Sequence, residues 1–215
     1  MKNIIDKRII ALYHDLRRLY GRPQNQWKLW CQRPKNLASR EEVIIGAILT
    51  QRTSWRNVEL AIGALKKERV LRLASMYKLA QGNPAKLKFL IRSCGFSRTK
   101  VGYLKNIAEY FIDNKGPLAM VNKSWPQIRR ELLKVRGVGP ETADSILLYA
   151  LDKPVFVIDE YTKRLVRAKH LTKKNLSYDY LQNFFMKNLP RSYQLYQDFH
   201  ALIIVWGKAV GGKKS

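Results

Sequence analysis

The sequence predicts an all-α protein, and three observations carry that expectation. Apolar residues recur three and four positions apart along most of the 215 residues, the spacing of one helix face, rather than alternating as they would on a half-buried strand. The first of these stretches is ended by Gly21 and Pro23, residues that stop helices. The only β-like run, residues 154–158 (PVFVI), is short and reads as a buried extended connector.

Taken in order, the first helix is expected over residues 4–20, with Ile5, Ile9, Leu12, Leu16 and Leu19 on one face and Gly21 and Pro23 ending it. Asp6, Lys7 and Arg8 among its isoleucines make it an amphipathic helix rather than a secretory signal. A loop rich in Gln, Pro and Asn over residues 21–38 carries Trp27 and Trp30. Residues 40–50 are almost wholly apolar after Glu41 and Glu42 in the first turn, which marks a buried central helix. Further helices are expected at 54–67, 68–80, 84–92, 98–114, 124–135, 140–151, 160–169, 178–188 and 192–210, before a frayed tail, 211–215. Repeats and low-complexity blocks are absent. The best candidate domain boundaries are the loop near residue 22 and the connector near residue 153.

Lys and Arg number 41 against 16 Asp and Glu, a formal charge of +25. Such a chain is expected to bind polyanions, with affinity that falls steeply in salt. A plain solvated basic face is the alternative, but here the cations are interleaved with eleven Tyr and five Trp, a mixture suited to phosphates and bases. Cys31 and Cys94 form no CxxC pair, which argues against a zinc site, an iron–sulfur cluster or a disulfide framework. They read as reduced, buried small hydrophobes of a cytoplasmic protein. His14, His170 and His200 show no metal-ligand spacing and read as ordinary surface or satisfied core residues. With no run of eighteen apolar residues, no membrane span or membrane partner is expected.

The most informative stretch is residues 132–159. A helix face (Ile128, Leu132, Leu133, Val135) runs into the turn Gly137-Val138-Gly139, and a second helix opens at Pro140, a favoured first helical position. The two glycines allow φ > 0 and close approach of the backbone to another surface. Main-chain N–H groups of the turn and of the second helix then point outward at the positive end of a helix dipole, an arrangement that binds a phosphate without any side chain. Further on, the apolar run 155–158 delivers one carboxylate, Asp159, just before the helix 160–169. Asp159 suits an N-cap as well as catalysis, and the cap would fix the carboxylate in place. A phosphate-gripping hairpin followed by a single placed acid points to an enzyme acting on nucleic acid.

These residues resemble the helix-hairpin-helix (HhH-GPD) DNA glycosylase superfamily, in particular its endonuclease III-like branch. Gly46-Ala47-Ile48-Leu49-Thr50-Gln51 with Thr53 and Trp55 is similar to that branch's second-helix signature. Residues 133–143 resemble its hairpin, and Val157-Ile158-Asp159 with Tyr161, Thr162 and Arg164 its catalytic-aspartate segment. A weaker echo is Phe199-His200-Ala201-Leu202-Ile203 with Gly207-Lys208. The resemblance implies two helical domains with the active-site cleft between them: a bundle of about six helices over 23–153, and a second domain built from 1–22 and 154–215. Bifunctional members place a lysine in the hairpin helix as Schiff-base nucleophile, where this chain has Glu141, so a monofunctional hydrolase is expected. Nor does the chain show the four-cysteine cluster found in that branch. Both departures are similar to the branch's 3-methyladenine DNA glycosylases.

On that resemblance, Asp159 is the catalytic carboxylate, stabilising positive charge on the deoxyribose or activating water as the base departs. Gly137, Val138, Gly139 and Thr142 would meet DNA through the hairpin, and a monovalent cation at the hairpin carbonyls is compatible with it. Otherwise no cofactor is expected. Gln51 matches the side chain that fills the vacated base stack, and Arg52 is placed to reach a phosphate. The flipped-out base would meet Trp55, Trp27 or Trp30, with Glu141 and Lys208 bordering the pocket. Stacking on tryptophan favours a cationic alkylated purine over a normal base. Core packing is the alternative for each tryptophan, a first-turn structural role for Glu141, and a solvated lysine for Lys208. The expected partner is damaged double-stranded DNA, bound by a monomer in the cytoplasm with the nucleoid. Two rival readings stay open: a glycosylase for uracil, mismatched thymine or an oxidised base, with lyase activity from another lysine, and a non-catalytic helix-hairpin-helix DNA-binding protein.

Overall fold

Helices are the only regular elements among the described residues. The computed structural model of the chain describes residues 6–172 and 176–211. The expected helix start at residues 4–5, with Ile5, and the tail beyond residue 211 lie outside them. None of the described helices is long and apolar enough to cross a membrane.

The described residues group into two compact units, one from 33–151 and one from 1–32 together with 152–215. The loop residues 23–32, which the sequence assigns to the bundle, are grouped with the two chain ends. They hold the short helix α2 (Trp27–Trp30), whose two tryptophans are buried and meet edge to face at 6.0 Å. Burying two large rings outweighs the loop-like composition around them.

The 33–151 unit is built around α3 (Leu37–Leu49), capped by Asn36 and buried without a break from Val43 to Leu49. A helix apolar on all sides belongs in the middle of a bundle. After it along the chain come α4 (Trp55–Lys67), α5 (Leu73–Gly82), α6 (Pro84–Leu90), a 3-10 turn (Arg92–Cys94) and α7 (Ser97–Asp113). Next are α8 (Pro117–Met120), α9 (Trp125–Leu132) and α10 (Pro140–Ser145), which continues as a fully buried π-helical turn, Ile146–Ala150. The helix expected over 68–80 begins only at Leu73. Arg69 takes φ 56°, the Val70 N–H returns to the Leu65 carbonyl, and residues 68–72 become a connector.

The unit formed by the chain ends contains α1 (Lys7–Tyr20), α2, α11 (Glu160–Ala168), α12 (Tyr178–Asn188) and α13 (Tyr193–Gly211). Helix α13 packs against both α1 and α11. Residues 155–158 are buried and without regular secondary structure, and the Phe156 carbonyl accepts from Gln182 Nε2 at 2.8 Å. The Phe156 ring stacks on Phe185 at 4.4 Å and meets Tyr196 and Phe199 edge on. This aromatic core sets the position of the residue that follows the buried run, Asp159.

Candidate active site

The hairpin of the 33–151 unit is assembled from short-range and long-range contacts together. Past α9 the chain turns tightly, with the Val138 N–H bonded to the Val135 carbonyl at 3.0 Å. Gly137 adopts φ +100°, a region that disfavours any side chain, and a Cβ there would lie 2.2 Å from the Tyr103 ring of α7. Gly139 is different. Its φ is −92°, open to any residue, and a Cβ there would meet nothing within 4 Å. The positive φ expected of both glycines is therefore confined to Gly137, and Gly139 leaves bare, exposed main chain at the start of α10. Lys134 and Arg136 are exposed on the same turn.

Side chains from distant helices hold this turn in place. Gln51 Nε2 donates to the Gly137 carbonyl at 2.9 Å and to Thr142 Oγ1 at 3.1 Å, so its amide is engaged with the hairpin. Arg129 of α9 grips the fully buried Asp144 of α10 through two bonds of 2.8 and 3.1 Å, tying the two helices together. Lys100, 2% exposed, donates to the Leu49 and Cys94 carbonyls at 2.8 and 2.9 Å. Burial pushes its ammonium below the ordinary lysine value. The Leu49 bond fixes the end of α3, from which Thr50, Gln51 and Arg52 lead. A cavity of about 610 Å³ borders the hairpin, lined by Gln51, Arg52, Phe96, Lys100, Tyr103 and Glu141 among others. Glu141 and Arg52 are exposed; Trp55, the first residue of α4, is half-buried in the same unit.

The unit formed by the chain ends carries the carboxylate. Asp159 caps α11: its Oδ1 accepts the Thr162 N–H at 2.7 Å and the Thr162 hydroxyl at 2.9 Å. Its Oδ2 lies 3.5 Å from Nε2 of His200 on α13. Burial pushes the carboxyl pKa up. The neighbouring His200 and the two Thr162 donors outweigh that effect, and the group is held below the ordinary aspartate value. His200 is buried, with the Trp27 ring edge on at 6.1 Å and the Phe156 ring at 6.4 Å. On α13, Gly207 gives Tyr161 of α11 room, since a Cβ there would lie 2.3 Å from its ring. The next residue, Lys208, reaches Gln26 Oε1 at 3.1 Å, beside Trp27.

The predicted site residues thus form two groups. Asp159, Trp27, Trp30 and Lys208 gather in the unit of the chain ends, linked through His200 and Gln26. Gln51, Arg52, Trp55, Glu141, Thr142 and the hairpin 137–139 gather in the other. Sequence reasoning missed His200, Tyr103, Lys100, Arg129 and Asp144. The FH-x-x-I echo around His200 was a usable signal; the other four are single residues whose partners lie on other helices. Cys31 and Cys94 belong to different units, and the described residues contain no cluster of three or more His, Cys, Asp or Glu side chains suited to a metal ion.

An all-helical fold with a glycine hairpin, followed in sequence by a capped, ionised aspartate, defines a class of base-excision proteins. The chain belongs to that class: the HhH-GPD superfamily base excision DNA repair protein family matches residues 45–191. It is a DNA glycosylase of that family. Over 210 residues it is 41% identical to a Methanocaldococcus jannaschii protein provisionally named a DNA repair glycosylase, covering 96% of this chain and 90% of that one. The crystal structure of the H. pylori 3-methyladenine DNA glycosylase MagIII, bound to 1,N6-ethenoadenine, superposes with a TM-score of 0.72 at 26% identity, covering 97% of each chain. A trapped endonuclease III–DNA covalent intermediate shares the fold, with a TM-score of 0.73 at 18% identity over 100% of this chain and 90% of that one.

Proposed function

We propose that the chain is a monofunctional DNA glycosylase that removes alkylated purines such as 3-methyladenine from double-stranded DNA, acting as a monomer. Asp159 is its catalytic carboxylate. The observation that carries the reading is the environment of Asp159: a buried carboxylate with one oxygen tied to Thr162 and the group held ionised. As the base–sugar bond breaks, its electron pair leaves with the base and positive charge builds on the deoxyribose. A nearby carboxylate stabilises that charge, and water then bonds to the sugar carbon and gives up a proton. A base already cationic departs neutral and needs no second acid. Tryptophans near such a site favour a cationic purine over a neutral one.

The amines beside the hairpin support a reading without lyase activity. Imine formation with the sugar needs an uncommitted lysine, and Glu141 occupies the first turn of α10. Lys100, which lines the same cavity, is buried and donates to two carbonyls. The similarity to the 3-methyladenine glycosylase, over nearly the whole length of both chains, supports the alkylpurine reading. On this reading the hairpin main chain, Lys134 and Arg136 hold the DNA backbone, and the hydrolysis requires no redox or metal group.

The test is chromatography of bases released from methylated duplex DNA by the native protein and by Asp159→Asn. Native protein should release 3-methyladenine or 7-methylguanine, and the variant should lose at least about a hundredfold in rate while DNA affinity holds. Release of uracil, mismatched thymine or an oxidised base instead would replace the substrate, and full activity in Asp159→Asn would remove the carboxylate from the mechanism.

A further inference from the structure

Asp159 has two oxygens, and the cap explains only one of them. Oδ1 takes both Thr162 donors. A carboxylate held at one oxygen can still swing about its last torsion, and terminal sp² torsions have broad wells. Oδ2 faces His200 Nε2 at 3.5 Å. We propose that His200 is the positioning residue of this carboxylate: its Nε2 holds Oδ2 while Thr162 holds Oδ1, so the carboxylate plane is set before DNA arrives.

The surroundings of both partners fit that role. His200 is 4% exposed, with the Trp27 and Phe156 rings perpendicular to it at 6.1 and 6.4 Å. Trp27 is itself buried against Trp30. On the other side, the backbone leading to Asp159 is pinned by Gln182 at the Phe156 carbonyl. Helix α13 and the buried run 155–158 therefore bring the imidazole and the carboxylate together with little water to compete. At 3.5 Å the contact is longer than an ordinary hydrogen bond, and such contacts commonly tighten when substrate binds. Misplacing a reacting group by about 1 Å can cost on the order of a hundredfold in rate. The inference rests on the catalytic reading of Asp159.

The test compares single-turnover base release, lesion-duplex affinity and thermal midpoint for His200→Leu, His200→Gln, His200→Asn, Asp159→Asn and the double variant His200→Leu/Asp159→Asn. The Leu variant should lose roughly ten- to a hundredfold in rate with affinity within about twofold. Gln, whose amide reaches as far as Nε2, should recover most of that loss. Asn, too short to touch Oδ2, should stay slow, and it carries the comparison if the Leu variant does not fold. The double variant should be no slower than Asp159→Asn alone. A native rate in a folded Leu or Asn variant would overturn the proposal, as would a Gln variant no faster than Leu or Asn. Full activity in Asp159→Asn would instead overturn the catalytic reading on which the proposal rests.

Discussion

The hairpin and the carboxylate centre reach their geometry by opposite means. The hairpin presents main chain: Gly139 is bare, Gly137 bends where no other residue bends comfortably, and side chains such as Gln51 and Tyr103 serve to hold backbone in place. The carboxylate centre presents one side chain, Asp159, and uses backbone, hydroxyl and imidazole to hold it. Main chain suits an unvarying partner such as a phosphate, which every nucleotide offers. A single charge at a reacting carbon needs orientation to within a fraction of an ångström, and a side chain held at both oxygens supplies it.

The hairpin should fail by losing its fold or its grip on DNA, and the carboxylate centre by slowing. The largest effect is expected at the pair of Arg129 and Asp144. The Asp144 carboxylate is fully buried and paired with the partly exposed Arg129, and removing the arginine costs about 3–5 kcal/mol because the acid's charge is left in the interior. Arg129→Ala should therefore lower the thermal midpoint sharply and take DNA binding with it. An unchanged midpoint would mean that the hairpin helices are held by packing alone. Gly137→Ala comes next. Its φ of +100° and the Tyr103 ring in the way together imply a loss of about 1–3 kcal/mol or more, read as a lower denaturation midpoint and weaker binding.

Legibility in the sequence divides along the same line. The turn Gly137-Val138-Gly139-Pro140 and the cap at Asp159 are local: each is decided within a few residues, so composition and spacing announce them. The buried α3 is equally plain, because seven consecutive residues from Val43 to Leu49 admit no solvent-facing side. The supports are not local. Tyr103 reaches Gly137, Arg129 reaches Asp144 and His200 reaches Asp159 only after helices have packed, and no spacing rule encodes which helices will meet. Short elements escaped for another reason. The four-residue α2 and α8 are little more than one turn, too short to show a period. The late start of α5 turns on a single left-handed residue, Arg69, in a stretch of ordinary helix formers.

Gly139→Ala sharpens the comparison from the hairpin side. Its backbone angles suit alanine and the space around it is open, so the thermal midpoint should barely move. Affinity for duplex DNA should nevertheless fall about tenfold, roughly 1.4 kcal/mol, because a methyl group would stand where phosphate approaches the main chain. Equal affinity would mean that the α10 N-terminus does not touch DNA.

The smallest effect is expected at Thr162→Val, and pH should reveal it. The valine removes the hydroxyl donor to Asp159 Oδ1 and keeps the N–H donor, so the cap survives. In the native protein burial raises the carboxyl pKa, and His200 and Thr162 more than offset it, so the group stays ionised until the pH falls below the ordinary aspartate range. The stability tied to that depressed pKa is present above the unfolded value and is lost as pH falls through the folded one. Removing one donor moves the folded pKa upward and narrows that window. Base release by Thr162→Val should match native protein near pH 8 and drop a few-fold earlier on the acid side. An acid limb that does not move would mean that the hydroxyl only caps the helix; a rate lowered equally at every pH would mean that the substitution displaced the carboxylate instead of changing its charge.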